Sequence, residues 1–326
     1  MHKTLLATAL LAACLAACSS APATTAASEG AATEATAMSP ADAKFADLSK
    51  RWLDGWLALN PVNATQVGDH RFDDQLDQLD AAGRQRIVDF SKAMLGELDA
   101  IDVNALSREN QVDAAILRNQ LQGDVWNIET YQGWAWDPQV YSGLAGGAIY
   151  NLMARDFAPM PQRLKSATAR MEQIPALFAQ MRANLDPARV PLIHAQTVAK
   201  QNNGVLDLVD QFITPNAGQL QGADRARLDA AVANLRKAVA EQQAWLDKTL
   251  VPNAKGDFRI GQELYDQKLQ FALMSSLSRA EIKQRAEAEM TRVRGEMYDI
   301  ARQVLKDRPN APPTPENPSD DQRQKA

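Results

Sequence analysis

The stretch LKSATARMEQIPALFAQMRANL, residues 164–185, decides the fold. Its apolar residues fall at Leu164, Ala167, Met171, Ile174, Phe178, Met181 and Leu185. The spacing alternates three and four, which lines one face of an α-helix. Arg163, Lys165, Arg170, Glu172 and Arg182 fall on the other, polar faces. Pro175 sits inside the pattern, removes one backbone donor and predicts a kink. A stripe this regular needs other helices to bury it, so the fold class expected is all-α.

The flanking sequence supplies those helices. Upstream, Ser39-Pro40-Ala41-Asp42 is a helix start, with Ser as N-cap, Pro in the first position and an acid in the first turn. Phe45, Leu48, Trp52, Trp56 and Leu59 form its stripe, and Asn60-Pro61 ends it. Residues 62–79 lose the period and read as a short turn and a polar connection, with Asp73-Asp74 on a solvated surface. Further helices are expected from Asp80 to Ile101 and from Ser107 to about Tyr131. Residues 133–151 read instead as an aromatic, glycine-rich loop holding Trp134, Trp136, Tyr141 and Tyr150. Such a loop is either one wall of a ligand cleft or a set of rings plugging a gap between helices.

Downstream, Asp186-Pro187 breaks the chain. A fifth helix covers 191–212, interrupted near Asn202-Asn203-Gly204, and Asp224 opens a sixth. Residues 252–260 turn, and a seventh helix covers 262–277. Ser278-Arg279-Ala280-Glu281 is a capping box that opens an eighth. There Ile282, Ala286, Val293, Met297, Ile300 and Val304 form a stripe expected to be buried. The expected architecture is therefore a multi-helix array of about eight helices over residues 39–306, with no internal repeat. Residues 307–326 turn polar and proline-rich. Ser319-Asp320-Asp321-Gln322 again has capping-box form, announcing a helix just where the chain stops. That reads either as a chain cut short before a further half or as a harmless disordered tail.

The chain has 326 residues, 45% of them hydrophobic and 23% charged, in the range of a soluble globular protein. Its formal net charge of −5 excludes a nucleic-acid partner, which wants a basic face.

The N-terminus is a processing and anchoring signal. Lys3 precedes a run of 13 residues, 5–17, too short for the roughly 20 that span a bilayer. Two overlapping Leu-Ala-Ala-Cys sites end at Cys14 and Cys18. They resemble a bacterial lipobox, whose cysteine is acylated and becomes the new N-terminus. Cys18 is the lipid attachment site expected, because Ser19, Ser20 and a polar linker follow it directly. Residues 1–17 are then a signal peptide, and residues 18–38 a flexible Ala/Ser/Thr tether of about 25 Å. Ser19 rather than Asp in second place points, by resemblance, to the outer membrane. The protein is thus expected on the periplasmic side of the envelope, with the membrane as partner through its lipid. Both cysteines lie at the signal, which leaves the mature domain without disulfide, thiol nucleophile or thiolate metal site.

Motifs for catalysis are absent. The mature chain has two histidines, His70 and His194, neither with a second histidine four residues away. There is no His-Glu-x-x-His pair for zinc and no Gly-x-Ser-x-Gly elbow. Both histidines read as surface or packing residues. No catalytic, metal or cofactor-binding residue is assigned, and the chain is expected to bind no catalytic zinc.

Three segments carry a resemblance to a known family. NPVNATQVGDHRFDD (60–74), FAPMPQRL (157–164) and FRIGQELY (258–265) are similar, in this order, to segments of bacterial lipoproteins of the domain-of-unknown-function 885 family. Relatives in that family are nearly twice as long. Their later half carries a His-Glu-x-x-Pro-Gly-His element like that of helical zinc metallopeptidases. The resemblance implies zinc and a peptide substrate for the full-length form. It makes this chain the N-terminal helical half, one wall of the substrate cleft, inactive alone. It also implies that the later half would pack on some of the apolar stripes at 164–185 and 282–304. The alternative is a complete, non-catalytic helical binding or scaffold lipoprotein.

Overall fold

The computed structural model describes residues 38–326. The expected signal peptide, the expected lipid site Cys18 and the expected tether, up to residue 37, lie outside them. Among the described residues the elements are helical throughout; the single β-type pairing joins Pro191 and Gly256. The helices are α1 (Pro40–Leu59), α2 (Pro61–Val67), α3 (Ala81–Asp99), α4 (Arg108–Trp126), α5 (Gly133–Trp136), α6 (Gln139–Met153) and α7 (Met160–Asn184). They continue as α8 (Leu192–Gln201), α9 (Gly204–Leu208), α10 (Gly222–Trp245), α11 (Val251–Asn253), α12 (Gln262–Leu273), α13 (Arg279–Leu305) and α14 (Asp320–Lys325).

Helix starts follow local chemistry. The side chains of Ser39, Asp80, Ser107, Ser278 and Ser319 each accept from a backbone N–H in the first turn of the following helix. Both capping boxes form, at Ser278–Glu281 and Ser319–Gln322. Asp42 ties the first start to the fourth: it accepts from Asn110 Nδ2 at 2.7 Å, from the Ser107 N–H at 2.9 Å and from Ser39 Oγ at 2.8 Å. The Asn110 bond, then those from Ser107 and Ser39, hold its carboxyl down to about 2.

α7 is the central element and runs on through Pro175. Every residue of its predicted stripe is buried. α10 packs along it with Leu228, Leu235 and Val239, and α6 covers another side with Tyr141, Ala148, Ile149 and Leu152. Each such large side chain contributes about 1.5–3 kcal/mol on burial. A second cluster joins α1, α3 and α4 through Phe45, Leu48, Leu98, Leu117 and Leu121.

Four expectations are corrected. Residues 61–67 are helical: Pro61 sits in the first turn of α2, and seven residues are too few to show a period. The glycine-rich loop is instead α5 and α6. α6 is apolar nearly all round because it lies between other elements, which overrides the low helix propensity of Gly143, Gly146 and Gly147. A β-carbon on Gly147 would stand 3.2 Å from Val62 Cγ1, so the small residue lets α2 approach. The seventh helix stops at Leu273, with Met274 at φ 46°. The fourth correction is α13: its only buried residue is Tyr298, whose hydroxyl donates to the Pro315 carbonyl at 2.8 Å. Met297, Ile300 and Val304 are exposed.

Two arginines on the supposed polar faces of α7 are buried as well. Arg163 closes the α6–α7 turn, donating to the carbonyls of Ala158 (3.0 Å) and Arg155 (2.7 Å) and to Asp156 (2.6 Å). Arg170 is 0% exposed. Its guanidinium donates to Thr65 Oγ1 at 2.6 Å and to the carbonyls of Gln75 (2.9 Å), Pro61 (3.0 Å), Ala148 (3.2 Å) and Phe72 (3.3 Å). Asp73, expected on a solvated surface, is buried beside it. It accepts from Thr65 Oγ1 at 2.6 Å and lies 3.0 Å from His70 Nδ1. Burial pushes Arg170 down to about 10, against the pull of Asp73, Asp77 and Asp74. Burial likewise raises Asp77, whose carboxylate accepts from the Val62 N–H at 3.0 Å. This network fastens residues 61–77 to α7.

Candidate functional site

A chain of ring contacts, some stacked and some edge-on or tilted, runs from α12 to α8. Phe271 lies 5.3 Å from Trp126, Trp126 5.2 Å from Tyr131, Tyr131 5.2 Å edge-on from Trp136, and Trp136 6.0 Å from His194. Hydrogen bonds set the ring planes. Trp126 Nε1 donates to Gln267 Oε1 at 2.6 Å, and Trp136 Nε1 to the Tyr131 carbonyl at 3.0 Å. The backbone reaches this arrangement through a π-helical turn, Asn127–Tyr131, and a left-handed Gln132 at φ 52°. Such turns re-aim the side chains that follow them.

The opposite wall is the segment 256–268. It is held by close backbone approach: the Gly256 N–H donates to the Val190 carbonyl at 2.9 Å. A β-carbon at Gly256 would fall 1.9 Å from the Arg189 carbonyl oxygen, so the segment fits here only without a side chain. Gly261, at φ +82°, then turns the chain into α12.

Between the two walls lies a cleft of about 730 Å³. That volume suits a small organic ligand. Tyr131, Trp136, Phe258 and Tyr265 bring rings to it; Arg259, Lys268 and Arg279 bring positive charge; Asp137 and His194 complete it. His194 Nδ1 is sealed from solvent and finds no hydrogen-bond partner among the described residues; Asp137 Oδ1 lies 3.6 Å away.

The two readings of the aromatic stretch divide between its residues. Trp136 lines the cleft, with Tyr131 beside it. Trp134 and Tyr141 fill gaps: Trp134 sits 3.6 Å under the Arg84 guanidinium, and Tyr141 Oη donates to the Trp134 carbonyl at 2.7 Å. Of the two histidines, His194 reaches the cleft, whereas His70 stacks on Phe157 at 3.7 Å beside Asp73. Sequence reasoning passed over Lys268 and Arg279. Their positions in helical patterns carry no signal until α12 is set against residues 131–136.

The described residues gather no zinc set: no three His, Cys, Asp or Glu side chains converge among them. The resemblance places the zinc element in a later half of the relatives, and no hydrolytic step is assigned to the described residues. No described helix is long and apolar enough to cross a membrane.

A family model described as "Bacterial protein of unknown function (DUF885)" matches residues 61–322. Among solved structures, the chain is similar to a "putative lipoprotein of unknown function from Shewanella oneidensis", at 30% identity and a TM-score of 0.73. That match covers 85% of this chain and 50% of the other, so the chain spans about half the length of that relative. No curated protein matches.

Proposed function

The chain belongs to the family of bacterial proteins described as DUF885, and from that premise we propose that it is the N-terminal, ligand-binding half of an envelope-anchored lipoprotein. Its cleft between α5 and α12 forms one wall of a site that takes peptides. A further half supplies the other wall and the zinc chemistry; the Shewanella protein, of which this chain covers 50%, has length for such a half. The observation that carries this reading is the cleft, set in a helical domain whose α13 leaves an apolar face open. The test is hydrolysis. Residues 39–326 supplied with zinc should cleave no peptide, and a chain extended by a downstream His-Glu-x-x-Pro-Gly-His segment should. Hydrolysis by residues 39–326 alone, lost on His70→Ala or His194→Ala, overturns the reading.

A second reading, a complete non-catalytic binding lipoprotein, is favoured by one observation. Among the described residues, both hydrophobic clusters are formed by residues within 41–254. A coding sequence that stops at Ala326 supports it.

Anchoring is tested separately. Mass spectrometry of the mature N-terminus should find acylated Cys18, in the outer-membrane fraction. Lipid on Cys14, or an unmodified chain starting elsewhere, would sink the assignment.

A further inference from the structure

The charge in the cleft opposes that of the protein. The chain carries a formal −5, yet the cleft is lined by three cations against one carboxylate, Asp137. Two of the cations have partners close by: Arg279 pairs with Asp266, and Arg259 lies 3.6 Å from Asp257. Lys268 is different. Its ammonium stands 4.7 Å from the centre of the Tyr131 ring and 3.3 Å from that residue's Oη, and among the described residues no carboxylate pairs with it. A cation held over a ring, exposed and without a carboxylate, keeps its electrostatic capacity for a ligand. The rings beside it offer flat apolar surface of the kind that aromatic groups stack on.

We propose that this cleft binds aromatic carboxylates, the ring lodged among Tyr131, Trp136 and Tyr265 and the carboxylate accepting from Lys268. The inference rests on the reading of the cleft as a ligand site and names the chemistry it selects. Both halves of the ligand are needed. The rings alone would take any apolar group, and the ammonium alone any anion. A short distance between ring and charge is what the juxtaposition of Tyr131 and Lys268 selects. Free aromatic acids and the C-terminal aromatic residue of a peptide share this chemistry.

Calorimetric titration of residues 39–326 tests the proposal with four probes: 3-phenylpropionate, its amide, N-acetyl-alanyl-phenylalanine with a free carboxylate, and the amide of that dipeptide. Each acid should bind roughly fivefold tighter than its amide, a preference that shrinks in high salt. Lys268→Ala should remove that preference, so that each acid binds no tighter than its amide; the residue is exposed, so the variant should fold. Tyr265→Ala should weaken acids and amides alike. A dipeptide acid that binds tighter than 3-phenylpropionate identifies a peptide C-terminus as the source. Equal binding identifies the free acid. Acids and amides that bind equally, or a Lys268→Ala variant that keeps the preference, overturn the proposal while leaving the cleft a ligand site. No binding by any probe overturns both.

Discussion

Replacing Arg170 by alanine should remove about 3–5 kcal/mol of stability, the cost of breaking a buried charge network by deleting one member. Typical domains have about 5–15 kcal/mol in total, so the variant should lie near the edge of folding at room temperature. The loss has two sources. Five acceptors, four of them backbone carbonyls from α2, α6 and the segment 72–75, lose a charged donor at once. Buried Asp73 and half-buried Asp77 also lose the positive charge that Arg170 sets near them. Arg170→Met separates charge from volume. It fills the space nearly as well and should recover little, because it restores neither the guanidinium's hydrogen bonds nor its charge beside Asp73. Asp73→Asn in the Arg170→Met background should cost less than it does alone, since the two belong to one network. Urea unfolding followed by circular dichroism measures all three. A loss below about 1 kcal/mol for Arg170→Ala would show that water replaces the guanidinium and that the network is not holding residues 61–77 to α7.

Residues 39–326 should self-associate and bind a hydrophobic dye through α13. Met290, Met297, Ile300 and Val304 are exposed, at 52%, 64%, 60% and 51%. Their spacing places them on one face together with the half-buried Ile282 and Val293. Large contiguous apolar surface of this kind drives association. The rest of the molecule should not share the defect, because the stripe on α7 is covered by α6 and α10. Thermal unfolding should therefore remain cooperative for the two core clusters while α13 melts apart from them. The triple variant Met297→Glu, Ile300→Lys, Val304→Glu should abolish dye binding and give a monomer on sedimentation, at little cost to the core transition. A wild-type chain that is dye-silent and monomeric at high concentration would show that this face needs no cover. It would also favour a complete, non-catalytic lipoprotein over a chain that requires a second half.

The periodicity and the capping residues reached as far as local physics reaches. Ser39, Asp80, Ser107, Ser278 and Ser319 mark helix starts because a cap and its acceptor lie within three residues. The stripe on α7 was legible for the same reason: one turn of helix repeats every three or four residues, wherever the partner comes from. The all-helical class and the order of the main helices follow from these two signals. The three family-like segments were equally visible, but not what each one does. Residues 60–74 fasten onto α7, residues 157–164 form the turn that Arg163 closes, and residues 258–265 make a wall of the cleft.

Burial was decided only in three dimensions. Arg170 and Ile300 read by type as exposed and buried, and the structure reverses both. Arg170 can be buried because acceptors up to 109 positions away in the chain converge on it. Ile300 is exposed because no described element packs on its face of α13. The cleft has the same origin, since Tyr131 and Lys268 are 137 positions apart. A side chain's type fixes what its burial costs; which groups arrive to offset that cost is set by the packing of distant helices, and no local pattern encodes it.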